Sequence, residues 1–136
     1  MFDVLIVDDE REIRTLLSEA LTNYNFAIHT CRTGREALDA VAQTDYDLIL
    51  TDIIMPDVDG LEFLQKLRAR RDNSSQTPVI AMSGGARSIS PECALRAADL
   101  YADAVIQKPF DLENMYSAID RILGKQKQKN AIAKRA

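Results

Sequence analysis

Five short apolar runs, each separated from the next by a stretch with helical spacing, constrain this chain more than any other feature. Val4 to Val7, Ala27 to Thr30, Leu48 to Thr51, Val79 to Met82 and Ala104 to Gln107 lack clean polar alternation. Each therefore reads as a strand covered on both faces. Between them, Ile13, Leu16, Leu17, Ala20, Leu21 and Tyr24 make one apolar stripe, and Ala37, Leu38 and Val41 a shorter one. Leu61, Leu64 and Leu67 form a third, Cys93, Ala94, Ala97 and Ala98 a small-residue fourth, and Leu112, Met115, Ile119 and Ile122 the last. The alternation predicts an α/β fold: a doubly wound five-stranded parallel sheet with helices on both faces. A length of 136 residues suits one such domain. The folded unit is expected over residues 1–124, followed by a basic, flexible tail over 125–136.

In sheets of this class, ligands bind outside the carboxyl ends of the strands, where strand order reverses. The residues at those ends are Asp8 and Asp9, Asp52, Ser83 and Lys108. Pairing the first strand with the third brings three carboxylates together, and like charges in a partly desolvated site repel unless a cation intervenes. A hard divalent ion answers that need: Mg2+, with Mn2+ able to substitute, takes carboxylate and carbonyl oxygens and keeps several waters. Asp52, alone at its strand end, is suited to be the nucleophile of a phosphoryl transfer. Asp9 would bind the metal directly, Asp8 directly or through water, and the peptide carbonyl of Ile54 would supply a further oxygen. Lys108 is expected to pair with Asp52 and then with a phosphoryl oxygen, and Ser83 Oγ to donate to another. Gly84 and Gly85 make movement of the following loop sterically cheap. Pro109 restrains Lys108, with a trans peptide as the default. Met55-Pro56 and Asp59-Gly60 mark a turn before the third helix. Glu10 reads as a carboxylate stabilising the first helical turn rather than a ligand.

Charge and composition narrow the classes further. The last twelve residues carry Lys125, Lys127, Lys129, Lys134 and Arg135 and no acid, whereas the preceding 124 hold 12 basic and 21 acidic residues. An acidic body repels a phosphate backbone, so direct DNA binding is not expected. No run approaches 18 apolar residues and no signal-peptide pattern opens the chain, which points to a cytoplasmic protein without a membrane partner. Cys31, Cys93 and His29 have no metal-motif spacing and read as structural.

These residues carry a resemblance. Val7-Asp8-Asp9-Glu10, Asp47-Leu48-Ile49-Leu50-Thr51-Asp52, Met55-Pro56-Asp57-Val58-Asp59-Gly60, Ser83-Gly84 and Lys108-Pro109-Phe110, in that order, resemble the receiver domain of bacterial two-component response regulators over about Asp3 to Leu123. The resemblance implies a flavodoxin-like sheet of order 2-1-3-4-5 and phosphoryl transfer to Asp52 from a histidine kinase or histidine phosphotransfer protein. It also implies Mg2+ held by Asp8, Asp9, Asp52 and the Ile54 carbonyl. The output surface would be the fourth helix, fifth strand and fifth helix, acting on a downstream protein target as a monomer or weak phosphorylation-dependent dimer. The whole would be a stand-alone response regulator that catalyses its own phosphorylation and dephosphorylation.

Departures from the family pattern mark candidate switch or partner residues. Val105 stands where an aromatic side chain often reports phosphorylation, and a β-branched side chain cannot make the same rotation. Tyr101 replaces a common glycine, and Tyr116 and Leu95 are further surface candidates, together with Gly84 at the switch loop. The segment from Ser83 to Cys93 is longer than the shortest family pattern, as either a partner-specific lid or a solvated insertion. Two other readings compete: a Mg2+-dependent aspartyl-phosphate phosphohydrolase, disfavoured by Ile54 in place of a second acid, and a pseudo-receiver that binds a partner without phosphate turnover.

Overall fold

A computed structural model describes residues 2–53, 60–83, 101–109 and 111–135. Five parallel strands make one sheet: β1 (Phe2–Val7), β2 (Phe26–Cys31), β3 (Leu48–Asp52), β4 (Val79–Ser83) and β5 (Ala104–Gln107). Their order is β2-β1-β3-β4-β5, the arrangement implied by the resemblance. The helices are α1 (Arg11–Ala20), α2 (Gly34–Gln43), α3 (Gly60–Arg68) and a C-terminal helix (Leu112–Arg135). The expected helix near Cys93, the turn over 54–59 and the loop over 84–92 lie outside the described residues.

Strand residues alternate between two cores because successive side chains point to opposite faces. Leu5, Val7, Ile49, Val79 and Ala81 pack with Ala37 and Val41 of α2 and with Phe63, Leu64 and Leu67 of α3. Val4, Ile6, Leu48, Leu50, Ile80 and Met82 pack with Leu17 of α1, with Leu21 and with Met115, Ile119 and Ile122 of the C-terminal helix. The absence of polar alternation in the sequence is thus the signature of burial on both sides.

Helix ends follow local chemistry. Thr33 caps α2, its hydroxyl accepting from the Glu36 amide at 3.1 Å, while the Glu36 carboxylate accepts from the Arg32 amide at 3.1 Å. This reciprocal arrangement satisfies amides that have no partner within the helix. The first stripe runs to Tyr24, yet α1 stops at Ala20; Leu21–Asn23 tightens into a 3-10 turn and Tyr24 is extended, so the chain can turn into β2. Its terminal amides close on Leu17, Glu19 and Leu21 carbonyls.

The expected tail departs most from its reading. The backbone of residues 125–135 continues the C-terminal helix, so the boundary expected at 124 falls inside one element. A physical reason is composition: lysine, glutamine, alanine and arginine are strong helix formers, and they dominate this stretch. Among the described residues, no helix is long and apolar enough to cross a membrane.

Candidate phosphoacceptor site

Strand register builds the site. Val7 pairs with Thr51, so the residues that follow, Asp8 just past β1 and Asp52 at the end of β3, lie side by side. The chain runs from β1 out to β2 and back across β1 to β3, which makes this the point of topological reversal. Ser83 pairs with Gln107, which sets Lys108 at the same edge. The backbone of Ser83 ends β4; its side chain lies outside the described residues.

Asp8 is fully buried and Asp52 is 4% exposed. The Lys108 ammonium reaches both, at 2.7 Å from Asp8 Oδ2 and 3.3 Å from Asp52 Oδ2. Sequence reasoning paired Lys108 with Asp52; the structure seats it closer to Asp8 and makes it a bridge between the two acids. Burial pulls the lysine pKa down, but the hydrogen bond to Asp8 and the charges of Asp52 and Asp8 outweigh it, and the net direction is up. The Lys108-Pro109 peptide is cis, not the trans default.

Asp8 Oδ1 accepts from the Glu10 amide at 2.9 Å, which turns the chain sharply into α1. Asp9 is half-buried and Glu10 exposed, and carboxylate oxygens of Asp8, Asp9 and Glu10 lie within 4.8 Å of one another. An all-oxygen, acidic set of this kind is capable of coordinating a hard divalent cation. Glu10, read from the sequence as a helix-end residue, occupies the N-cap position without a side-chain capping bond and also belongs to this group. Ile54, expected to lend its carbonyl, lies outside the described residues, as do Gly84 and Leu95.

Two further residues shape the site. A Cβ built on Gly60 would stand 1.7 Å from the Asp52 carbonyl oxygen, so the first residue of α3 rests directly on the peptide of Asp52. The sequence marks Asp59-Gly60 as a turn but does not announce this close approach. Arg14 Nη1 donates to the Asp8 carbonyl at 2.9 Å, a contact with no sequence signal beyond its place one turn after Glu10.

The surface candidates separate. Val105 is half-buried, packs against the α2 and α3 core, and shares a groove with Gln107, Asn114, Ser117 and Arg121. Tyr101 is half-buried against the same core, and its carbonyl accepts from Arg68 Nε at 2.8 Å. Tyr116 lies elsewhere: its hydroxyl donates to the Ala20 carbonyl at 2.9 Å and its ring is 6.0 Å from that of Tyr24. At about 100° per residue it faces away from Ser117 and Arg121, toward α1. Cys31 is buried in the core, and burial, followed by Glu36 and Asp39, pushes its thiol up to about 11. His29 Nδ1 lies 2.9 Å from the Tyr46 hydroxyl, in keeping with a structural role.

Residues 4–120 match the model of the response regulator receiver domain. The chain belongs to that family. It is 34% identical over 132 residues to response regulator ArlR of Staphylococcus aureus, an alignment covering 97% of this chain and 57% of the relative. The chain thus spans little more than half the length of that curated relative. Among solved structures it is similar to a CheY-like response regulator receiver domain protein from Methanospirillum hungatei, with a TM-score of 0.79, 28% identity and coverage of 95% and 98% of the two chains. It is also similar to the chemotaxis protein CheY4 of Vibrio cholerae, with a TM-score of 0.76, 29% identity and coverage of 90% and 98%.

Proposed function

We propose that this receiver accepts a phosphoryl group on Asp52 from a histidine kinase or histidine phosphotransfer protein and signals through phosphorylation-dependent protein binding. The observation that carries the reading is the Lys108 ammonium bridging two buried carboxylates, Asp8 and Asp52, at the carboxyl edge of the sheet. In the proposal Asp52 attacks phosphorus in line, and its electron pair forms the new oxygen–phosphorus bond while the donor keeps the pair of the bond that breaks. Lys108 then turns from Asp52 to a phosphoryl oxygen, which its three donors and flexible stem allow. Ser83 donates to another oxygen and draws the loop beginning at Gly84 with it.

Mg2+ is the proposed ion, held by Asp8, Asp9, Asp52 and the Ile54 carbonyl, and it would neutralise charge on the transferring group. Glu10 belongs to the same acidic group and would act from its exposed rim, through retained water. The receiver unit is taken as residues 1–124, with 125–136 as a basic extension. Val105, Tyr101 and Leu95 are the proposed partner-facing residues, and Tyr116, turned toward α1, would act there instead.

Intact-mass measurement with a small phosphodonor tests the assignment. Wild type should gain one phosphoryl group only when Mg2+ is present, and Asp52→Asn should gain none. A gain of equal size in the variant would move the acceptor elsewhere, and no gain in wild type from small donors or a cognate kinase would leave a pseudo-receiver.

A further inference from the structure

We propose that Arg14 is a positioning residue for the cation site: its guanidinium holds the Asp8 peptide so that the Asp8 and Asp9 carboxylates converge on one ion. The inference rests on the proposed role of Asp8 and Asp9 as metal ligands. Its starting point is that all four polar atoms of Asp8 are engaged, each by a different residue. The amide donates to the Cys31 carbonyl at 3.1 Å, Oδ1 accepts from the Glu10 amide at 2.9 Å, Oδ2 from Lys108 Nζ at 2.7 Å, and the carbonyl from Arg14 Nη1 at 2.9 Å.

The Cys31 and Glu10 bonds are main-chain donors or acceptors that the β1–β2 register and the turn into α1 bring along. The Lys108 bond, like that from Glu10, uses a carboxylate oxygen that the cation must share. Arg14 differs from all three. It is a side-chain donor from α1 that takes the carbonyl and makes no claim on either carboxylate oxygen of Asp8. The peptide is planar, so fixing the Asp8 carbonyl also fixes the amide and the Cα from which the Asp9 side chain springs, leaving only rotation about the Asp9 N–Cα bond to set its direction.

The position of Arg14 is itself firmly set. Its amide donates to the Glu10 carbonyl at 3.1 Å, in the first turn of α1, and Leu17, three residues on, is fully buried in the core. Helical side chains lean toward the N-terminus, which carries this half-buried guanidinium back beneath Asp8. The charge of the guanidinium also offsets the repulsion among Asp8, Asp9 and Glu10. Lysine at this place would keep the charge but offer a compact ammonium instead of the planar fork.

Two measurements on the full chain test the role, with Arg14→Met and Arg14→Lys. In metal-free protein, the Asp8 carbonyl carbon resonance should move upfield in Arg14→Met as the hydrogen bond is lost. In calorimetric titration with Mg2+, Arg14→Met should bind about 10-fold more weakly than wild type, the usual cost of removing a group that orients a ligand, and Arg14→Lys should recover part of the loss. A carbonyl shift and Mg2+ affinity equal to wild type in a folded Arg14→Met would overturn the proposal while leaving the ligand set standing. If Arg14→Met does not fold, Arg14→Lys decides alone: affinity and carbonyl shift both unchanged from wild type would overturn it. Wild type that binds no Mg2+ would instead remove the ligand set, and this inference with it.

Discussion

The two edges of the sheet use aspartate in opposite ways. At the amino edge, Asp47 Oδ2 accepts from the Asp3 amide at 2.8 Å and Asp103 Oδ2 from the Val79 amide at 2.8 Å. These carboxylates bind main-chain donors where strands begin, and Asp103 keeps 49% of its side chain exposed beside Arg68. Arg68 completes that edge by donating to the carbonyls of Tyr101, Ser75 and Thr77. At the carboxyl edge, Asp8 and Asp52 are buried against one ammonium. The amino edge thus anchors its carboxylates on main-chain amides and, for Asp103, also on Arg68. The carboxyl edge sets two carboxylates against one ammonium, a contact that in the proposed function a metal ion or a phosphoryl oxygen would redirect. Chemistry is expected where the charge balance is exchangeable.

The strongest way to break this contrast is Lys108→Met. Removing one partner of a buried charge cluster leaves the others uncompensated, so metal-free protein should lose about 3 kcal/mol in urea denaturation. An unchanged midpoint would mean that the acids do not depend on Lys108. The pH dependence has a definite sign. The lysine pKa is raised in the fold, so its stabilisation is fully present below the ordinary value of 10.5 and is lost as pH rises through the higher folded value. The gap between wild type and variant should therefore hold from neutral pH to about pH 10 and close above it.

Gly60→Ala probes the same edge from beneath. A Cβ there meets the Asp52 carbonyl oxygen at 1.7 Å, so α3 or the Asp52 peptide must shift, at a cost of about 2 kcal/mol as for other overpacked sites. Phosphorylation of the variant by a small donor should slow in parallel, and a normal rate would show that the backbone of Asp52 tolerates displacement.

Asp47→Ala sharpens the comparison from the other edge and carries the smallest effect. Loss of the charged acceptor for the Asp3 amide should cost about 1.5 kcal/mol while Mg2+ affinity stays at the wild-type value. A coupled loss of Mg2+ affinity would erase the distinction between the edges.

How far these features were legible follows from the range of the interactions involved. Strand runs such as Leu48 to Thr51 could be read because burial on both faces writes itself into every position. Asp8, Asp52 and Lys108 could be read because each ends a strand, and the topology carries strand ends to one edge. The nearer bond from Lys108 to Asp8 was not legible, since side-chain reach at a shared edge depends on the detailed path of β5. Arg14 and Gly60 were missed because their partners are main-chain carbonyls, which carry no residue identity. The halt of α1 before Tyr24 was missed for a related reason: the apolar stripe continues through a 3-10 turn without a break in spacing. The helix beyond Gly124 was missed because its charge pattern hid its helix-forming composition.

That helix also has a mechanical consequence. The last buried residue of the C-terminal helix is Leu123 among those whose side chains are described, and the backbone continues helical to Arg135. Twelve residues at 1.5 Å each carry the helix backbone about 18 Å past Leu123. Any rotation of the helix about Met115, Ile119 and Ile122, which seat it on the sheet, moves the backbone at Arg135 in proportion to that length.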